Sequence, residues 1–172
     1  DKLFSQLNLL GMKVLSAIAL ILGREASFFD RWAIKGNSIL RLIHYPPVRD
    51  SSNILRARAH EDINLITLLV GAEESGLEVQ NSNGEWIPID AKSKSIVCNI
   101  GDMMQLVTRS QLKSTSHRVV DHNSDSSASR YSMPFFLHPS PDIDLCSIVD
   151  NSDGSISAHD FLEERLKEIK LY

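Results

Sequence analysis

Two short stretches carry side chains that could act on one point. In Ala59-His60-Glu61-Asp62 an imidazole and a carboxylate stand two residues apart, just ahead of the apolar run Leu65-Ile66-Thr67-Leu68-Leu69-Val70. In extended chain, residues i and i+2 share a side. His60 and Asp62 therefore offer two metal ligands together while Glu61 faces away. A third ligand must come from elsewhere. His117, in the strand-like segment Ser116-His117-Arg118-Val119-Val120, lies 55 residues after Asp62. Strands this far apart in sequence can be neighbours inside a jelly roll. Two His and one carboxylate on one face of a metal, with further positions open, is the ligand set of non-haem Fe(II) oxygenases. The H-x-D pair alone is common, and a single strand histidine is more often a core or surface residue than a ligand. The residues by themselves leave both readings open.

Arg130-Tyr131-Ser132 places a guanidinium and a hydroxyl on one face of a strand, followed by the apolar Met133-Pro134-Phe135-Phe136. Inside an apolar barrel such a pair can hold a dicarboxylate by its distal end, through a two-pronged hydrogen bond. The plainer alternative is a surface arginine on an edge strand.

The surrounding elements must position these groups. Residues 3–22 read as a helix, because Leu3, Leu7, Leu10, Val14, Ala17 and Ile21 recur at helical spacing and Gly23 offers a stop. From Ser38 the period changes to that of strands. Ser38–Tyr45 ends at Pro46-Pro47, and strand-like runs follow at Ile54–His60, Leu65–Val70, Leu77–Gln80, Trp86–Ile89, Ser95–Ile100, Gln105–Thr108, Ser116–Val120 and Arg130–Leu137. Asn83-Gly84 marks a hairpin. Residues 158–172 read as a terminal helix with a structural role, its apolar face formed by Phe161, Leu162, Leu166 and Ile169. The expected fold is mainly β with flanking helices, built on a double-stranded β-helix, or jelly roll. Its divisions are a helical segment at 1–36 packing on the barrel, a core at 37–148, and a turn and helix at 149–172.

Composition narrows the function classes. The 172 residues include 18 Lys plus Arg and 22 Asp plus Glu, for a net charge of −4, which speaks against nucleic acid as partner. Hydrophobic residues at 42% and charged residues at 23% are those of a soluble globular chain. Cys98 and Cys146 stand far apart and outside any C-x-x-C pair, so free, buried thiols in a reducing compartment are expected. The apolar run Val14–Leu22 is too short to span a bilayer and lacks a signal-peptide cleavage pattern. These features predict a cytoplasmic protein with no membrane partner.

Read in order, the motifs resemble the catalytic C-terminal half of the isopenicillin N synthase-like family of Fe(II)/2-oxoglutarate-dependent oxygenases, from about Ser38 to Ser147. The resemblance is carried by Leu40-Arg41-Leu42-Ile43-His44-Tyr45-Pro46-Pro47, the H-x-D strand, the hairpin Gly76–Gln80 and Gly84–Ile89, Asn99-Ile100-Gly101-Asp102-Met103-Met104-Gln105, Ser116-His117-Arg118-Val119 and Arg130-Tyr131-Ser132. It implies Fe(II) on His60, Asp62 and His117. It further implies 2-oxoglutarate held by Arg130 and Ser132 with help from the Tyr45 hydroxyl. The cofactor set is then Fe(II), 2-oxoglutarate and O2, with ascorbate as accessory reductant, and the substrate is a small molecule undergoing hydroxylation, desaturation or cyclisation. Two other readings stand beside it. One is an Fe(II) oxidase of the same family that binds its substrate at Arg130 and Ser132 without 2-oxoglutarate. The other is a non-catalytic jelly-roll metal-binding module. The chain departs from the family pattern at Ile43, where many members carry Asn near the co-substrate's C1 carboxylate. It also departs at Glu61 between the ligands, and in the length of the segment between His117 and Arg130.

Other signals are decoys. Residues 149–160 imitate a calcium loop, but Val149 would occupy its first ligand position, so a plain Asx/Gly turn is expected. His44, His122, His138 and His159 have no ligand-like pairing and read as structural or surface residues. Met103 and Met104 are expected in the core, within a strand.

Overall fold

The structure, a computed structural model, describes residues 2–47, 54–70, 76–89, 95–121, 129–150 and 154–169. Its elements in chain order are α1 (Lys2–Ile21), α2 (Asp30–Ala33), β1 (Ile39–Leu40), β2 (Ile43–Tyr45), β3 (Ile54–His60), β4 (Ile66–Val70), β5 (Leu77–Gln80), β6 (Trp86–Pro88), β7 (Ile96–Ile100), α3 (Asp102–Val107), β8 (His117–Asp121), β9 (Arg130–Leu137) and α4 (Ala158–Glu168).

The strands form two antiparallel sheets. One runs β1-β9-β4-β7, with β2 also on β9; the other runs β3-β8-β5-β6. This is the expected jelly roll. The strand period of two sorts the larger sheet by face. On β4 and β9, Ile66, Leu68, Phe135 and Leu137 are fully buried against the helices. The alternate residues Thr67, Leu69, Ser132, Pro134 and Phe136 line a cavity between the sheets. The main apolar core thus lies outside the barrel, where Leu7, Leu15, Ile18, Phe29 and Trp32 of α1 and α2 meet the outer face. That leaves the interior free for polar chemistry.

Helix α1 starts and ends as expected but presents a different face. Leu7, Gly11, Leu15, Ile18 and Ala19 are buried, while Leu3 and Ile21 are exposed. Gly11 sits at the contact with β9: a Cβ there would stand 2.4 Å from Leu137 Cδ1, so glycine gives the helix its close approach and a larger residue would need the Leu137 tip to shift. By length and composition alone α1 could cross a membrane; here its inner face is part of the core.

Two expected strands are changed. Ser38–Tyr45 is interrupted between β1 and β2, although both pieces keep one register on β9. The Arg41 N–H donates to the Pro134 carbonyl at 3.0 Å, but Pro134 has no N–H to return, so the ladder breaks there. Gln105–Thr108 is not a strand: Asp102–Val107 is helix α3. Met103, Met104 and Val107 are buried at helical spacing, and the two methionines are core residues as expected, but on a helix.

The hairpin forms at Asn83-Gly84, with Gly84 at φ +82 and the Asn81 side-chain oxygen accepting from the Asn83 and Glu85 N–H groups. Both cysteines are free, yet exposed rather than buried. Of the decoy loop, Asn151 and Asp153 lie outside the described residues, as does His122.

Candidate metal centre and co-substrate pocket

The smaller sheet brings His60 to His117. Along β3 and β8 the pairing starts at Ile54 opposite Asp121 and ends at His60 opposite His117, after two register shifts. Each shift adds a residue to the β3 side. The two imidazoles end as partners with ring centroids 4.4 Å apart. Asp62 follows two residues beyond β3, and its Oδ1 lies 3.7 Å from His117 Nε2. One ligand atom from each of His60, Asp62 and His117 lies within 4.8 Å of the others.

The donor set fits a metal ion in detail. His60 Nδ1 lies 2.6 Å from the Arg58 carbonyl oxygen, and His117 Nδ1 lies 3.1 Å from the Thr115 carbonyl oxygen. A carbonyl only accepts, so each Nδ1 carries the proton and each Nε2 keeps its lone pair for a ligand bond. Asp62 Oδ2 is buried with no hydrogen-bond partner among the described residues. A buried carboxylate oxygen left bare is costly, and a cation beside it removes that cost. His60 is exposed on its strand end, which leaves the centre open on one side.

Asp62 is held through its backbone. Its carbonyl accepts the Asp102 N–H at 2.7 Å, at the start of α3. Gly101 makes this approach possible: a Cβ there would meet the Asn64 carbonyl oxygen at 2.0 Å. Below, Asn64 Nδ2 donates to Thr67 Oγ1 at 2.8 Å.

The residues expected to hold 2-oxoglutarate lie on the β2–β9 ladder. Tyr45 is opposite Arg130 and Ile43 is opposite Ser132. Arg130 is 5% exposed, which disposes of the surface-arginine alternative, and its guanidinium carbon lies 5.5 Å from the centre of the Tyr45 ring. Tyr45, Ser132, His60, Asp62 and His117 all line one inner cavity of 350 Å³ between the sheets.

A larger chamber of 770 Å³ opens on the other side of His60 and Asp62. Leu162, Leu166 and Ile169 of the C-terminal helix form one wall, so α4 shapes the site as well as capping the fold. Helical periodicity had shown its apolar face but not what that face covers. His138, expected as a structural or surface residue, also lines this chamber. Burial pushes its imidazole down to about 4, against the pull of the Asp62 carboxylate, so the ring is neutral at pH 7. The other two described histidines stay outside: His44 stacks on Tyr131, and His159 pairs with Glu163 on the surface.

Residues 36–139 match the sequence profile of the 2OG-Fe(II) oxygenase superfamily. The chain belongs to that superfamily. Among curated relatives, the 2-oxoglutarate-Fe(II) type oxidoreductase hxnY of Emericella nidulans is 36% identical over 146 residues, covering 83% of the chain and 41% of the relative. A crystal structure from Caulobacter crescentus, assigned to the 2OG-Fe(II) oxygenase family, superposes with TM-score 0.90 at 45% identity, over 97% of this chain and 57% of that one. A full-length Neurospora crassa protein, crystallised in complex with alpha-KG, gives TM-score 0.91 at 31% identity, over 98% and 56%; that protein is also seen with thymine. The chain therefore spans about half the length of the proteins it matches.

Proposed function

We propose that the protein is a non-haem Fe(II)- and 2-oxoglutarate-dependent oxygenase of a small-molecule substrate. The observation that carries this reading is the convergence of His60, Asp62 and His117 with both Nε2 lone pairs free. Fe(II) bound there would supply the oxidation of a substrate C–H bond by O2, coupled to conversion of 2-oxoglutarate to succinate and CO2; in a hydroxylation one oxygen atom of O2 enters succinate and the other the hydroxylated substrate.

The chain's own residues do the positioning. Arg130 forks the distal carboxylate of 2-oxoglutarate, the Ser132 hydroxyl donates to it from the same face, and Tyr45 closes the pocket from the opposing strand. Such a charge-assisted contact contributes about 1.5–3 kcal/mol net. The sheets exclude bulk water from the reacting end while the chamber beside His60 admits the substrate. The six ordered motifs support placement in the isopenicillin N synthase-like branch. Two free thiols support a reducing compartment, the cytoplasm, and the net charge of −4 supports a small molecule over nucleic acid as partner; no membrane role is invoked.

The test is anaerobic addition of Fe(II) and then 2-oxoglutarate to the full-length protein. A visible charge-transfer band is expected in the wild type, lost in His117→Ala and weakened in Arg130→Ala. Iron binding with no band would favour the 2-oxoglutarate-independent oxidase. No iron binding would overturn the enzyme reading in favour of a non-catalytic jelly roll.

A further inference from the structure

A second guanidinium stands on the inward row that carries Tyr45. On the ladder against β9, Ile39 is opposite Phe136, Ile43 opposite Ser132 and Tyr45 opposite Arg130. The hydrogen bond from the Arg41 N–H to the Pro134 carbonyl places Arg41 on the rung between Ile39 and Ile43. Residues 39, 41, 43 and 45 therefore look the same way. At about 3.4 Å per residue, the Arg41 rung is roughly 14 Å along the ladder from the Arg130 rung. The two arginines stand at opposite ends of this row, Arg130 buried and Arg41 exposed at the rim of the cavities it lines.

Arg41 lines both the inner cavity and the 770 Å³ chamber, and so marks their junction. Its side chain makes no hydrogen bond or ion pair among the described residues. Arg109, Arg118 and Arg165 each hold a carboxylate. Around Arg41 the chamber is apolar along Ile63, Phe136, Leu162 and Leu166. The chamber's two acidic side chains are the ligand Asp62 and its neighbour Glu61, which also lines a separate cavity with Arg109 and Arg165. The volume suits a whole small molecule.

We propose that Arg41 determines substrate specificity by binding a carboxylate of the substrate, whose apolar body packs on Phe136, Leu162 and Leu166 with a C–H bond turned to the His60/Asp62/His117 centre. The guanidinium fork matches a carboxylate in two hydrogen bonds, which a neutral group of equal shape cannot reproduce. The assignment rests on the oxygenase reading for its second carboxylate site at Arg130.

The probe is 4-phenylbutyrate against its neutral isostere 4-phenylbutanamide. Both are titrated by calorimetry into the full-length protein held anaerobically with Fe(II) and saturating 2-oxoglutarate. The acid should bind at least about tenfold more tightly than the amide. Arg41→Gln should erase that preference, Arg41→Lys should keep part of it, and neither should remove the 2-oxoglutarate charge-transfer band. Equal binding of acid and amide, no binding of either, or a preference that survives Arg41→Gln would overturn the proposal. So would loss of the band in Arg41→Gln, which would assign Arg41 to the co-substrate. If the wild type gives no band at all, the oxygenase reading fails separately. The titration without 2-oxoglutarate in Arg130→Ala then still reads Arg41: a retained preference supports it, and a lost one assigns the acid to Arg130.

Discussion

His60 and His117 face each other across the last rung of the β3–β8 pair, their ring centroids 4.4 Å apart. Two register shifts put them there. A ladder without them would pair His60 with a residue nearer Thr115, two positions along, and the triad would not converge. Because the side-chain period is two, both shifts are needed: one alone would turn a histidine to the wrong face.

The first prediction concerns the triad itself. Asp62→Ala, His60→Ala and His117→Ala should each weaken Fe(II) binding by more than the roughly 10–100-fold that loss of an outer-shell partner costs. Metal titration checks this. Asp62→Asn should lose the metal too, yet its metal-free form should melt at or above the wild-type temperature. The substitution removes a buried charge whose Oδ2 has no partner among the described residues.

Glycines in contact with different neighbours should behave differently. Gly101→Ala sets a Cβ 2.0 Å from the Asn64 carbonyl oxygen, a backbone atom that cannot rotate aside. It should cost about 2 kcal/mol or more and displace the Asp62 loop, weakening metal binding together with stability. Gly11→Ala meets the flexible tip of Leu137, and the gain in helix propensity, about 1 kcal/mol, offsets the repacking. Denaturant melts of the two variants should separate clearly. Equal losses would remove the backbone-contact explanation.

The C-terminal helix is held by Arg165, whose Nε and Nη2 both donate to Asp102 Oδ2, at 3.0 and 2.8 Å. The same Asp102 donates its N–H to the Asp62 carbonyl. Asp102→Ala should therefore cost about 1–3 kcal/mol and leave the helix loose over the chamber. Arg165→Gln should cost less, because this side chain is a third exposed. Hydrogen exchange across 158–169 should quicken in both; unchanged exchange would mean the apolar contacts alone hold α4.

His138 should give the fold an acid sensitivity. Burial lowers its imidazole to about 4 from an ordinary 6.5. Between these values the unfolded chain binds a proton that the folded one refuses, so stability falls as pH drops from 6.5 towards 4. The slope from this one group is at most about 1.4 kcal/mol per pH unit. His138→Gln should flatten that part of a stability-against-pH curve. An unchanged slope would show that the ring is already protonated in the folded state.

Much of this protein was legible in its sequence because local periodicity and spacing act locally. Strand alternation marked the β elements, Asn83-Gly84 marked the hairpin, and the i, i+2 pairs His60/Asp62 and Arg130/Ser132 already shared faces as soon as their segments were read as extended. What spacing could not supply was any relation set by packing at a distance. Helix α3 was hidden because its few apolar residues suit either period; the Asp102 N–H on the Asp62 carbonyl decides for a helix start. The buried face of α1 includes Gly11, which meets Leu137, 126 positions later. The apolar face of α4 was visible, but that it walls a chamber beside the candidate metal ligands depends on distant contacts, among them Arg165 on Asp102 and the Ala158 N–H on the Ile143 carbonyl. The sequence by itself determined which side chains are chemically capable and which neighbours share a face. Only tertiary structure decided that two bulges bring His60 to His117 and that Arg41 and Arg130 stand at opposite ends of one ladder. Register and long-range approach depend on contacts between segments, which no single segment encodes.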